Sequence, residues 1–102
     1  MNDPLGMFRD GAIAAVFQRV PSIEKAVVFG SRAKGTHTQY SDVDIALFGE
    51  VGLLEVEEVR CELDELPLIY KFDVVAYNRI ENVELRGHID RVGVAVYERN
   101  LK

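Results

Sequence analysis

Apolar residues in this chain recur in two periods, one helical and one extended. Leu5, Phe8, Ala12, Ala15 and Val16 follow helical spacing after Asp3-Pro4. Asp3 reads as the N-cap, Pro4 as the first helical residue and Pro21-Ser22 as the stop. Lys25 to Phe29 is a β-branched and aromatic run ending at Gly30, which predicts a strand and a turn. Ser31 to Thr38 is compatible with a short helix started by Ser31. Asp42 to Phe48 predicts a second strand, closed by Gly49 and Gly52. Over Leu53 to Leu66, Val56, Val59, Leu63 and Leu66 are spaced by 3, 4 and 3 residues among acidic neighbours. This is an amphipathic helix ended by Pro67. Ile69 to Tyr77 reads as a third strand. Asn82 can cap a last helix carrying Leu85, Ile89 and Val92, with Gly93 ending it and Val94 to Tyr97 as a final strand.

The order α-β-(α)-β-α-β-α predicts a small α/β (α+β) domain with a mixed sheet of three or four strands and helices packed against it. The 102 residues are 48% hydrophobic and 28% charged, enough for one domain over 1–102 with one core. Net charge is −5, from 12 Lys and Arg against 17 Asp and Glu. Such a domain does not attract a phosphate backbone, so stand-alone nucleic-acid binding is not expected. A nucleotide with its metal ions stays open. Cys61 is the only cysteine, which excludes an internal disulfide and a cysteine zinc site. It is expected to pack as a small side chain. No stretch reads as a signal peptide or a membrane span, and a cytoplasmic location is expected.

Against this frame three aspartates stand out, because Asp is a poor strand residue. In Asp42-Val43-Asp44-Ile45-Ala46-Leu47-Phe48, Asp42 and Asp44 point the same way, about 7 Å apart, while Val43, Ile45 and Leu47 point to the core. Two like charges on one face call for a raised pKa, a cation or a metal. Oxygen donors without nearby Cys or His suit Mg²⁺ or Mn²⁺. For an isolated Asp-x-Asp, a solvated sheet face is the better reading. Gly30-Ser31 ends the preceding strand. A Gly there lets a backbone approach a ligand, and a helix starting after it would offer free N–H groups to an anion. A simple turn is the alternative. The two features meet only if these strands are antiparallel; parallel strands would hold them roughly 20 Å apart. Asp73, in Phe72-Asp73-Val74-Val75-Ala76-Tyr77, interrupts a strand apolar on both faces and needs a partner or a metal, or else sits at a strand end. Together the three acids and the Gly-Ser turn describe a site for phosphoryl transfer by two metal ions about 3.5–4 Å apart.

Gly30-Ser31, ten residues, then Asp42-Val43-Asp44 resembles the signature of the DNA polymerase β-like nucleotidyltransferase superfamily. The string GSRAKGTHTQYSDVDIAL is similar to its minimal nucleotidyltransferases, and Phe72-Asp73-Val74 to that family's third motif. The resemblance implies Asp42 and Asp44 as ligands of both metals, and Asp73 as ligand of the catalytic metal and activator of the acceptor hydroxyl. It also implies Gly30 and Ser31 as binders of the β- and γ-phosphates. Lys34 stands where many relatives have Arg. Arg32 is expected to assist electrostatically at the nucleotide. Larger relatives carry a further acceptor-binding domain, for which these residues do not suffice, so a separate acceptor is expected. The resemblance implies transfer of AMP from ATP, with Mg²⁺, to a hydroxyl of a HEPN-type toxin, as the antitoxin of a HEPN–MNT pair. A non-catalytic module that neutralises its partner by binding is one alternative, and a small-molecule adenylyltransferase another. His37 and His88 lack companion ligands and are expected at the surface. Ser41 is placed to bond an aspartate or to serve a turn. The acidic helix face is expected to be solvated, with docking of a basic partner as the lesser alternative.

Overall fold

A computed structural model of the chain describes residues 8, 11–30 and 42–99. Among them are helix α1 (Ala12–Gln18), strands β1 (Lys25–Phe29) and β2 (Val43–Phe48), and helix α2 (Leu53–Asp64). Strand β3 (Phe72–Ala76), a 3₁₀ turn (Tyr77–Arg79), helix α3 (Val83–Val92) and strand β4 (Val94–Glu98) follow. The strands form one mixed sheet in the order β3-β2-β1-β4. Strand β1 pairs antiparallel with both β2 and β4, and β2 pairs parallel with β3. The parallel step follows from α2, which lies between β2 and β3 in sequence and carries the chain back to the start of the sheet.

Alternation divides the strand residues between two faces. On the first face Ala26, Val28, Val43, Ile45, Leu47, Phe72 and Val74 join Ile13, Val16 and Phe17 of α1 and Val56, Val59 and Leu63 of α2 in one buried core. On the second face Val27, Phe29 and Ala46 meet Ile89 of α3, with Leu85 and Val92 partly buried beside them. The Asn82 side chain caps α3, accepting from the backbone N–H groups of Glu84 (2.9 Å) and Leu85 (3.1 Å). Helix α2 has no such residue at its start. Glu55 supplies the equivalent, accepting from the Gly52 N–H at 2.9 Å and from the Ser22 hydroxyl at 2.7 Å. Both bonds hold the Glu55 carboxyl below the usual range.

Several boundaries differ from the sequence reading, each for a visible reason. Helix α1 begins at Ala12, because Gly11 takes a left-handed φ of 83° that no right-handed helix can pass through. The expected start at Asp3-Pro4 lies outside the described residues. Strand β2 begins at Val43, one residue after Asp42. Strand β3 is shorter than expected at both ends. Ile69 is exposed ahead of it, and Tyr77 leaves it. The Tyr77 ring stacks on Phe48 (centroids 4.1 Å apart, planes at 19°), and its hydroxyl donates to Asp90 at 2.9 Å. Those contacts need the turn that follows Ala76. Cys61 is exposed, not packed; it falls between Val59 and Leu63 on the far side of the buried stripe.

The acidic face of α2 is partly paired within the chain. Arg60 bridges Glu57 (2.7 Å) and Asp64 (3.4 Å), and Arg19 reaches Glu62 (3.0 Å). These are surface pairs of small individual weight. No helix among the described residues is long and apolar enough to cross a membrane.

Candidate active site

The antiparallel pairing that the site required is present. Phe29, the last residue of β1, is the register partner of Asp44, so Gly30 follows directly at the acid end of β2. Gly30 has a φ of 76°, and a Cβ there would run into the Asp44 carboxylate. Glycine thus serves twice at this position. It turns the chain, and it leaves the space that the Asp44 side chain occupies.

The parallel pairing adds the third acid. Asp44 and Asp73 are register partners on β2 and β3. Two directly paired residues share a face, so both carboxylates stand on the second face, at the end where β2 and β3 start. Asp42 precedes β2 by one residue on the same side. Asp42 and Asp73 are exposed and Asp44 is half-buried. The Asp44 carboxyl is consequently raised above the usual carboxylate range. Burial is the main cause, followed by the charges of Asp73 and Asp42, and the nearby His88 opposes them.

The donors are all carboxylate oxygens, a set that suits a hard divalent cation such as Mg²⁺. Mutual repulsion at Asp44 is the electrostatic condition that a cation relieves. Among the described residues no three His, Cys, Asp or Glu side chains are already gathered as a coordinating cluster. The acids are neighbours by register, not a closed cage.

The sequence-predicted residues thus separate into two groups. Gly30, Asp42, Asp44 and Asp73 come together at one end of one sheet face. Ser31 and Arg32, together with Lys34, His37, Ser41 and the proposed helix at 31–38, lie outside the described residues. His88, expected at the surface, is a further residue close to these acids. It lies half-buried on α3 with its ring edge-on to Phe29, centroids 6.2 Å apart and planes at 80°. One signal pointed to it. On α3 it adjoins Ile89, the residue that carries the buried stripe onto the second face. Two cavities lined by described residues lie elsewhere. One of about 260 Å³ sits between Leu53, Val75 and Ile80. The other, about 190 Å³, lies between Lys25, Phe48 and Asp90. Neither is lined by a site acid.

Comparison with known proteins bears on this geometry. No curated protein matches the chain. Among solved structures, a toxin–antitoxin with AMP-PNP has a TM-score of 0.74 at 20% identity, covering 89% of this chain and 74% of that one. A tri-AMPylated Shewanella oneidensis HEPN toxin in complex with MNT antitoxin gives 0.65 at 18% identity, covering 91% and 71%. A MntA-HepT toxin–antitoxin gives 0.58 at 16%, covering 91% and 72%. At these identities the likeness is one of fold. A family model described as "Polymerase beta, Nucleotidyltransferase" matches residues 12–102, a span that includes all three acids and Gly30. On that match the chain belongs to the polymerase β nucleotidyltransferase family.

Proposed function

We propose that this nucleotidyltransferase moves AMP from ATP to a hydroxyl on a separate partner protein, and that the partner is a HEPN-type toxin that it silences as an antitoxin. One observation carries the catalytic part: the parallel register that pairs Asp44 with Asp73 on the strand already joined to Gly30. The partner is supported by the toxin–antitoxin complexes of like fold, one of which contains an AMPylated toxin.

In this reading Asp42, Asp44 and Asp73 hold Mg²⁺. When bound, the metal neutralises the triphosphate and polarises the reacting oxygens. The chain's own residues do the rest. The Gly30 turn, with Ser31 and Arg32, receives the β- and γ-phosphates. Asp73, on the side of Asp44 away from Gly30, accepts the proton of the acceptor hydroxyl. The acceptor oxygen bonds to the α-phosphorus as the bond from that phosphorus to the bridging oxygen breaks. Pyrophosphate leaves with the electron pair, and the proton passes from Asp73 to solvent. Positioning and charge stabilisation make up most of what such a transfer requires.

Incubation of the protein with ATP, Mg²⁺ and the product of the neighbouring gene, followed by intact-mass measurement, tests the proposal. The expected result is a partner heavier by one or more AMP groups. A partner unchanged in mass with each of the four nucleoside triphosphates would sink the protein-modifying reading.

A further inference from the structure

We infer that His88 is a substrate-binding residue, its imidazole N–H donating to the triphosphate on the Gly30 side of the site. The inference rests on the nucleotidyl-transfer reading and extends it to a residue outside the three-acid signature.

Position is the first argument. Phe29 ends β1, is the register partner of Asp44 and directly precedes Gly30. His88 stands edge-on to that same Phe29. The sheet runs β3-β2-β1-β4, so Asp73 lies on one side of Asp44 and Phe29-Gly30 on the other. His88 therefore approaches Asp44 from the phosphate side, opposite the acid assigned to the acceptor.

Charge is the second. Among the described residues, the groups whose charge acts on Asp44 are Asp73, Asp42 and His88, and of these His88 alone is not an acid. A triphosphate entering beside three carboxylates needs donors from the protein in addition to its metal ions. The third argument is availability. Neither ring nitrogen of His88 makes a hydrogen bond among the described residues, although the side chain is half-buried. A neutral imidazole already carries one N–H donor, so this role does not depend on its protonation. Glu84, Arg91 and Asp90 of the same helix are exposed. Asp90 is held by Tyr77, and Arg86 lies over the Tyr77 ring at 4.9 Å, at the other end of the face. His88 is thus the polar residue of α3 left facing the acids.

The test is calorimetric binding of ATP and of AMP, with Mg²⁺, to the wild type and to His88→Ala and His88→Gln. His88→Ala is expected to weaken ATP binding about tenfold and leave AMP binding unchanged. His88→Gln, which keeps a donor, should recover most of the loss. A thermal midpoint near the wild-type value for His88→Gln shows that binding, not folding, is being read. Equal ATP affinity in wild type and both variants overturns the inference and leaves the transfer reading intact. A parallel loss of ATP and AMP affinity in His88→Ala also overturns it, because the contact would then not be to the added phosphates. A wild type that binds no nucleotide at all overturns the transfer reading itself.

Discussion

The two faces of this sheet are built from the same strands and do opposite work. In β2, Val43, Ile45 and Leu47 are fully buried against α1 and α2. Their alternate neighbour Asp44 faces the other way, toward Asp73, with Asp42 just ahead of the strand on that side. The first face has a large continuous core, and the second has a small cluster of four buried residues, Val27, Phe29, Ala46 and Ile89, under one helix. A strand can carry acids at its start without losing its place because the first face alone fixes its register. The second face is then free to hold groups that repel one another. The difference amounts to a division of labour: stability resides on one face, and the proposed chemistry lies at the acid end of the other.

The strongest way to break this division is to damage the first face alone. Ile45→Ala removes a fully buried side chain. It is expected to cost about 3 kcal/mol in chemical denaturation. Any protein still folded should retain its nucleotide affinity. Proportionate loss of affinity in the folded fraction would mean that the faces are not separable.

The next largest effect is expected at the seam between turn and acid. Gly30→Ala puts a Cβ into the space of the Asp44 carboxylate and forces a residue with a side chain to adopt a φ of 76°. The backbone cost is about 1–2 kcal/mol. The displaced carboxylate should slow AMP transfer by about 100-fold. Steady-state rates beside a thermal melt separate the two. Wild-type rates in Gly30→Ala would show that Asp44 need not sit where Gly30 allows it.

The smallest effect has the opposite sign. Asp44 has a raised pKa in the folded chain, so its ionisation opposes folding. Its contribution to stability is fully present below the ordinary value of 3.8 and is lost as pH rises through the raised folded-state pKa. Replacing it by Asn removes that loss. Asp44→Asn should therefore melt higher than wild type at neutral pH, by about 2–4 °C, with the gap closing below the ordinary carboxylate range. Added Mg²⁺ should raise the wild-type midpoint and leave the variant unmoved. A variant less stable than wild type at pH 7 would assign Asp44 a structural role and weaken the division of faces.

Much of this arrangement was legible in the chain because it depends on period and punctuation. Lys25 to Phe29 ended at Gly30 as read, the 3-4-3 spacing of Val56, Val59, Leu63 and Leu66 gave α2, and Asn82 capped α3. The antiparallel β1–β2 pairing followed from a chemical requirement, namely that a phosphate turn and a pair of acids be adjacent. What was not legible depends on contacts distant in sequence. Tyr77 leaves β3 for Phe48 and Asp90, a choice its local apolar pattern conceals. The left-handed φ of Gly11 places the start of α1 at Ala12, within an apolar period that looked continuous. Cys61 looked packable by residue type, yet its position on the helix points it outward. His88 became relevant only when α3 was laid over β1.

The central claim is that the acid end of the second face holds a metal–nucleotide. It is tested most directly by calorimetric titration of ATP into the wild type and Asp44→Asn, each with Mg²⁺ and with chelator. The account predicts binding in the wild type that vanishes with chelator, and little binding in a folded Asp44→Asn under either condition. Binding that is equal in both proteins and indifferent to chelator would contradict it.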